Sequence, residues 1–373
     1  MHRVAQRRHT HAPCAVGRIR HANGRNEGLN LTQVHGIEHV ANLHMPALAP
    51  LLRELRTSLR ATSKRGVMPT GVAGVTFFWN EEPVPCAPLL YDPGLVIVGQ
   101  GGKVGYLGGR RFEYGADTCL VLGVPLPFEC EVHATPDEPL LGLRIDIDVT
   151  ALYGLVARFG GRLGLEDGTK AHCGVEPVSV DGPLLAATTR LLECLRDPLD
   201  RSIIGPAAIE EIIYRVLRGE QGRVLYALTR HHSAYAGVAR ALERMHRNYR
   251  ESLTVEDLAH ESAMSVSAFH RAFKQVTGES PLQYLKKLRL LKAKALLVFE
   301  GMRVDEAAYG VGYLSPSQFS REFKRYFNVP PRRRACRTTT PPDRGLPAPR
   351  VLVRAGLGRP LREIHIPARC SER

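Results

Sequence analysis

The feature that most restricts the fold is an internal echo in the C-terminal part of the chain. Phe269-His270-Arg271-Ala272-Phe273-Lys274 recurs fifty residues later as Phe319-Ser320-Arg321-Glu322-Phe323-Lys324. At the same offset, Val276, Gly278 and Pro281 are matched by Tyr326, Asn328 and Pro331. Two copies of one small unit therefore lie in tandem. At about 100° per residue, Phe269, Phe273 and Val276 fall on one side of a helix, while Ser267, His270, Arg271 and Lys274 fall on the other. The second copy sends Phe319, Phe323 and Tyr326 inward and Ser317, Ser320, Arg321 and Lys324 outward. Gln318, near the start of that helix, joins the outward candidates. Each helix thus has an aromatic stripe for a core and a basic face for a partner.

Each basic helix has a short helix before it. Thr254 is an N-cap with Asp257 three residues on, and Leu258, Ala259 and Ala263 mark an apolar face before a turn at Met264-Ser265. In the second copy Val304, Ala307, Ala308 and Val311 form the first helix, Gly312 permits the turn, and Ser315-Pro316 opens the basic helix. Ser280-Pro281 starts a leucine-rich rod from Leu282 to Phe299 that carries Lys286, Lys287, Arg289, Lys292 and Lys294. A helix of about 18 residues is ~27 Å long. That is close to the ~34 Å separating successive major-groove faces of one DNA duplex. Arg271 and Arg321 are placed for bidentate contacts to guanine edges, and Lys274 and Lys324 for phosphates.

Charge follows this division. Of the formal net charge of +14, residues 235–334 carry +8 and residues 34–234 carry −4, the two ends supplying +5 each. A basic segment beside an acidic one is expected where one domain meets phosphates and another does not. From about Leu89 to Val149 the chain turns to short apolar or alternating runs cut by Gly, Pro and Asp, the pattern of a compact all-β barrel or sandwich. Its runs are Leu95–Val98, Val104–Leu107, Phe112–Tyr114 and Cys119–Leu122, and a last strand alternates Leu141, Leu143, Ile145, Ile147 and Val149 with Gly142, Arg144, Asp146 and Asp148. The chemistry then becomes helical. Leu184, Leu191, Leu192 and Leu195 line one face, suited either to the barrel or to the same helix of a second copy. Ile209, Ile212, Ile213, Val216 and Leu217 line another helix, read as starting at Pro206.

The second unit, from Ala307-Ala308-Tyr309-Gly310-Val311-Gly312-Tyr313 through Ser315 and Phe319 to Arg325-Tyr326-Phe327, resembles the signature of the AraC/XylS family of bacterial transcription regulators. Asn328 stands where that family usually has glycine, and Asn also tolerates the left-handed cap. Tyr91 to Gly109 and Leu143 to Asp148 are similar to the cupin-like N-terminal domain of one branch of the family. The resemblance implies an α+β multidomain chain: an N-terminal cupin-like β-barrel with following helices, then an all-α double helix-turn-helix domain. The expected divisions are a disordered basic tail at 1–33, the sensor at 34–182, a helical dimerisation or linker region at 183–236, the DNA-binding domain at 237–334 and a second disordered basic tail at 335–373. It further implies a cytoplasmic, sequence-specific regulator with double-stranded DNA and an unidentified small-molecule effector as partners. RNA polymerase and a second copy of the chain are further partners it allows, and the regulator is expected as an activator, with repression left open.

Other classes fare worse. A metal-dependent cupin enzyme fused to a DNA-binding module is the alternative, but it needs a His-x-His pair with a carboxylate, and His133 is the one histidine between Leu89 and Val149. Gly101-Gly102-Lys103 is no phosphate loop, because Ile97 stands where its first glycine belongs and Val104 replaces the magnesium-binding hydroxyl. No Gly-x-Ser-x-Gly elbow occurs. The expectation is a non-enzyme with no cofactor and no metal. Eight cysteines without a Cys-x-x-Cys pair indicate neither a zinc module nor a disulfide framework. His2, His9, His11 and His21 lack ligand spacing and are read as tail. No apolar stretch is long enough for a membrane span, and the N-terminus lacks a signal peptide's apolar core. An architectural DNA binder without sequence preference would need charge alone, whereas this chain adds an acidic barrel and base-facing arginines.

Overall fold

The computed structural model describes residues 48–116, 118–159, 173–219, 222–230 and 233–332. Both expected tails and their histidines lie outside the described residues. Helix α1 (Leu48–Ser58) is followed by β1 (Arg65–Pro69), β2 (Val75–Asn80), β3 (Val84–Tyr91), β4 (Gly94–Gln100), β5 (Gly102–Leu107), β6 (Arg110–Gly115), β7 (Thr118–Leu122), β8 (Leu126–His133) and β9 (Leu140–Asp146). Then come α2 (Val149–Phe159), β10 (Val175–Ser179), α3 (Gly182–Cys194), α4 (Pro198–Arg218) and α5 (Gly222–Thr229). The remainder is helical: α6 (Ala234–Asn248), α7 (Val255–Glu261), α8 (Val266–Thr277), α9 (Pro281–Phe299), α10 (Val304–Gly310) and α11 (Pro316–Phe327).

The strands form two antiparallel sheets, ordered β1-β2-β9-β4-β7-β10 and β3-β8-β5-β6. Register fixes which residues share a face. Thr76 and Val96 both pair with Arg144, so these three side chains project on one side of the first sheet. Lys103 pairs with Tyr114 and Val132 in the second sheet. The Lys103 ammonium lies 4.7 Å from the centre of the Phe78 ring, which identifies these two faces as the barrel interior.

Several expectations need correction. The barrel begins before Leu89, at β1 and β2, and β10 rejoins it after α2. The alternation read through Val149 ends at Asp146, and Val149 starts a helix. Its apolar face, Leu141, Leu143 and Ile145, is buried, while on the other face Arg144 lines a cavity inside the barrel and Asp146 is partly exposed. The Ile209–Leu217 helix does not start at Pro206; α4 begins at Pro198, capped by Asp197, and Pro206 lies within it. The missing Pro N–H deprives the carbonyl of exposed Ser202, which solvent can satisfy. Leu184, Leu191, Leu192 and Leu195 are buried within this chain, α3 packing on α1 and α4. The face expected to meet the barrel or a second copy is thus covered by two helices of the same chain.

The helical part is joined to the barrel by backbone contacts. Gly174 donates its N–H to the Val276 carbonyl at 2.8 Å. Gly108, in the β5–β6 turn at φ +57°, sits against Gly278 at φ +76°, the C-cap of α8, so closely that a Cβ on Gly108 would lie 2.9 Å from the Gly278 Cα. One continuous apolar core runs from Leu48 through the barrel to Phe269, Phe273, Tyr284 and Leu288. A second core holds Leu290, Leu291, Leu297, Ala307, Val311, Phe319, Phe323 and Phe327. No helix among the described residues is long and apolar enough to cross a membrane.

Candidate nucleic-acid interface

Both helix-turn-helix units are built as their sequences require. In the first, Thr254 caps α7 by accepting from the Asp257 N–H, and Ser265 caps α8 by accepting from that of Ala268. Ala263 is not part of the apolar face: it is the left-handed turn residue, at φ +56° and exposed. In the second unit the Glu306 carboxylate accepts from the Arg303 N–H at 3.0 Å at the start of α10, Gly312 turns at φ +87°, and Ser315 caps α11. The ends match too, Gly278 and Asn328 both adopting the left-handed cap. Asn328 therefore does the work of the usual glycine.

The repeated aromatic stripe is core: Phe269, Phe273, Phe319 and Phe323 are buried, and Tyr326 is half-buried. Ser267, His270, Arg271 and Lys274 are exposed along one face of α8. Ser317, Gln318, Arg321 and Lys324 are exposed on α11, with Ser320 half-buried between them. Gln318 is partly engaged already, its amide donating to Glu322 at 3.3 Å. Among the described residues none of Arg271, Lys274, Arg321 and Lys324 is in an ion pair, so their charges face outward uncompensated. Two apolar side chains that periodicity did not single out flank this surface: Leu314, 96% exposed in the turn before α11, and Tyr309 at the end of α10, 59% exposed. Their signal was position alone, a turn residue with no core to join.

The rod is basic for a different reason. Lys286 pairs with Glu322 of α11 at 2.7 Å and Lys287 pairs with Glu279. Arg289 donates to the carbonyls of Tyr249 and Glu251, both at 2.7 Å. Burial disfavours the Glu322 carboxylate, but its bonds from Lys286, Tyr313 and Gln318 hold its pKa below the ordinary value. These cations brace the units on the rod, and the charge available to a partner is concentrated on α8 and α11.

Residues 71–224 match the family model of the AraC-type transcriptional regulator N-terminus, and residues 258–334 match a helix-turn-helix domain. The transcriptional activators RhaS of Salmonella arizonae and Salmonella newport are 39% identical to this chain over 85 residues, 23% of this chain and 31% of theirs. The match thus spans under a third of the length of those relatives. Among solved structures, ToxT from Vibrio cholerae is similar at 12% identity, with 71% of this chain and 96% of that one covered and a TM-score of 0.47. The DNA-binding domain of AdpA, solved in complex with a target DNA, is 38% identical over 26% of this chain and 85% of that one, with a TM-score of 0.23. With one match covering the barrel and the helices after it and the other covering the repeated units, the chain belongs to the AraC/XylS family of transcription regulators.

Proposed function

We propose that this chain is a sequence-specific, DNA-binding transcription regulator whose barrel takes a small effector and whose α8 and α11 enter two successive major-groove segments. The observation that carries this reading is the segregation of charge: the rod's Lys286, Lys287 and Arg289 are consumed by the fold, while Arg271, Lys274, Arg321 and Lys324 stand exposed. The rod has 19 residues, so it spans ~28 Å, the scale of one turn of duplex. Arg271 and Arg321 read guanine edges, Lys274 and Lys324 hold phosphates, and Ser267, His270, Ser317, Gln318 and Ser320 complete the two contact faces. The protein acts in the cytoplasm on double-stranded DNA and performs no chemistry of its own. RNA polymerase and a second copy of the chain are its further partners, and the similarity to RhaS favours activation.

Selection of the full chain's preferred site from a randomised duplex pool, followed by competition binding at several salt concentrations, tests this. Arg321→Ala should weaken the selected site by about 1–3 kcal/mol and random DNA much less. Lys324→Ala should weaken both alike and shallow the salt dependence by about one ion. Failure of any sequence to be enriched, or equal losses for Arg321→Ala on both DNAs, would sink the base-reading role.

A further inference from the structure

The barrel interior holds charge that packing alone does not require. Lys103 on β5 is only 8% exposed, and its ammonium sits 4.7 Å from the Phe78 ring centre and 6.0 Å from that of Tyr91. Across the interior, Arg144 of β9 pairs with Asp146 at 2.5 Å and donates to the Pro93 carbonyl at 3.4 Å, yet it also lines the same space as Lys103. That space is a cavity of about 50 Å³, bounded by Thr76, Phe78, Tyr91, Asp92, Lys103 and Arg144 and closed by aliphatic side chains including Val67 and Val96. Thr76 lies directly opposite Arg144 in the β2–β9 register, and its buried hydroxyl has no hydrogen-bond partner among the described residues. A buried unsatisfied hydroxyl near a buried ammonium is an arrangement that a ligand completes.

We propose that this cavity binds a small monocarboxylate. Lys103 supplies the countercharge beside the Asp146-paired Arg144, the Thr76 hydroxyl donates to the carboxylate, and the rings of Phe78 and Tyr91 take the apolar end. Asp92 lines the space and Asp146 already answers Arg144, whereas Lys103 is in no ion pair among the described residues, so the Lys103 ammonium is the charge that a carboxylate meets. A cavity of about 50 Å³ holds a few water-sized groups, which limits the ligand to a very short chain. The proposal rests on the reading of the barrel as the sensor and names the chemistry of its effector.

Propionate is the probe, with propionamide as its neutral isostere and sodium chloride as the control for ionic strength. The full chain is used, and binding is read from thermal stabilisation and from the emission of Trp79, the one tryptophan of the chain, which neighbours Phe78 on β2. Propionate should give a saturable response at concentrations where propionamide and chloride give none. Lys103→Met, which keeps the packed stem and removes the charge, should weaken binding at least about tenfold. Should Lys103→Met fail to unfold cooperatively, Val67→Phe fills the cavity from the edge strand without touching a charge and should abolish the response. Equal responses to propionate and propionamide, or unchanged binding by Val67→Phe, overturn the site. DNA affinity measured on the same samples separates the two readings. A chain that binds its selected DNA but shows no Lys103-dependent propionate response loses this site and remains a regulator. A chain that binds propionate selectively with no change in DNA affinity keeps the site and loses its sensor role.

Discussion

Lys294 shows how a single side chain can contradict its own sequence context. Helical spacing reads it as one more cation on a basic rod, but it is 6% exposed, its amine has no hydrogen-bond partner among the described residues, and it lies 4.6 Å from the centre of the Phe327 ring. The rod has no solvent stripe wide enough for all its lysines, because Leu285 and Leu288 pack into the first core while Leu290, Leu291 and Leu297 pack into the second. Burial brings the Lys294 pKa down to about 7. The unfolded chain, with an ordinary amine near 10.5, then holds a proton that the folded one lacks, so stability rises as the pH is raised from about 7 towards 10.5. Lys294→Met should remove that rise and stabilise the protein at neutral pH by about 1–3 kcal/mol, read from denaturant midpoints across the pH range. A destabilised variant would mean that the amine has a favourable role. By contrast, the outward faces of α8 and α11 were legible residue by residue, since an amphipathic helix on the surface obeys its own periodicity.

Between elements, the first helix-turn-helix unit is tied to the barrel through a buried relay. His246 of α6 and the Tyr284 hydroxyl of α9 lie 2.7 Å apart, and Tyr284 donates to the carbonyl of Pro125, between β7 and β8, at 2.7 Å. The hydroxyl proton is given to Pro125, so a neutral His246 donating from Nε2 completes the relay. Burial, reinforced by Lys292, lowers the His246 pKa from 6.5 to about 3. The unfolded chain takes up this proton as pH falls below 6.5 and the folded chain does not, so stability present above that pH is lost towards pH 3, at up to ~1.4 kcal/mol per pH unit. His246→Gln should flatten this acid-side slope in urea titrations; an unchanged slope would assign it to other groups. The second unit is held by Glu322, which receives Lys286 and Tyr313. Glu322→Ala should free α11 from the rod and weaken affinity for the selected DNA about tenfold, while costing about 1–3 kcal/mol of stability. Unchanged DNA affinity would show that α11 needs no such brace. The strands that the sequence did not mark out are β1, β2, β3, β8 and β10, and for some of them the physical reason is plain. Val75 to Asn80 of β2 are buried on both faces or nearly so, which erases the period of two that marks a half-exposed strand. Edge strands as short as β1 and β10, each of five residues, add too little pattern of their own.

Taken together, the two repeated units are equivalent in sequence and unequal in the fold. The first shares one apolar core with the barrel, and the second has a core of its own. Destabilising the barrel should therefore reach α8 before α11. Leu126→Ala, at a fully buried position of β8, should cost about 2–5 kcal/mol and lower the hydrogen-exchange protection of α8 amides together with the barrel strands, while α11 keeps most of its own. Loss of protection in α11 equal to that in α8 would show a single cooperative unit. The same asymmetry offers the barrel a mechanical route to DNA reading, since Gly108 against Gly278 and Gly174 bonded to Val276 leave no slack between the β5–β6 turn and the end of α8. From the amino-acid sequence alone came the family, the tandem units, their caps, turns and buried aromatic stripes, and the outward residues proposed to meet DNA. All of these are local, set by spacing along one helix and by the chemistry of one turn. The tertiary structure alone decided that α3 packs on its own chain, that the rod's cations are braces, that the first unit is welded to the barrel, and that Thr76, Lys103 and Arg144 meet around one cavity. Those outcomes depend on which residues far apart in sequence come to share a face, and strand register and packing settle that only once the chain has folded.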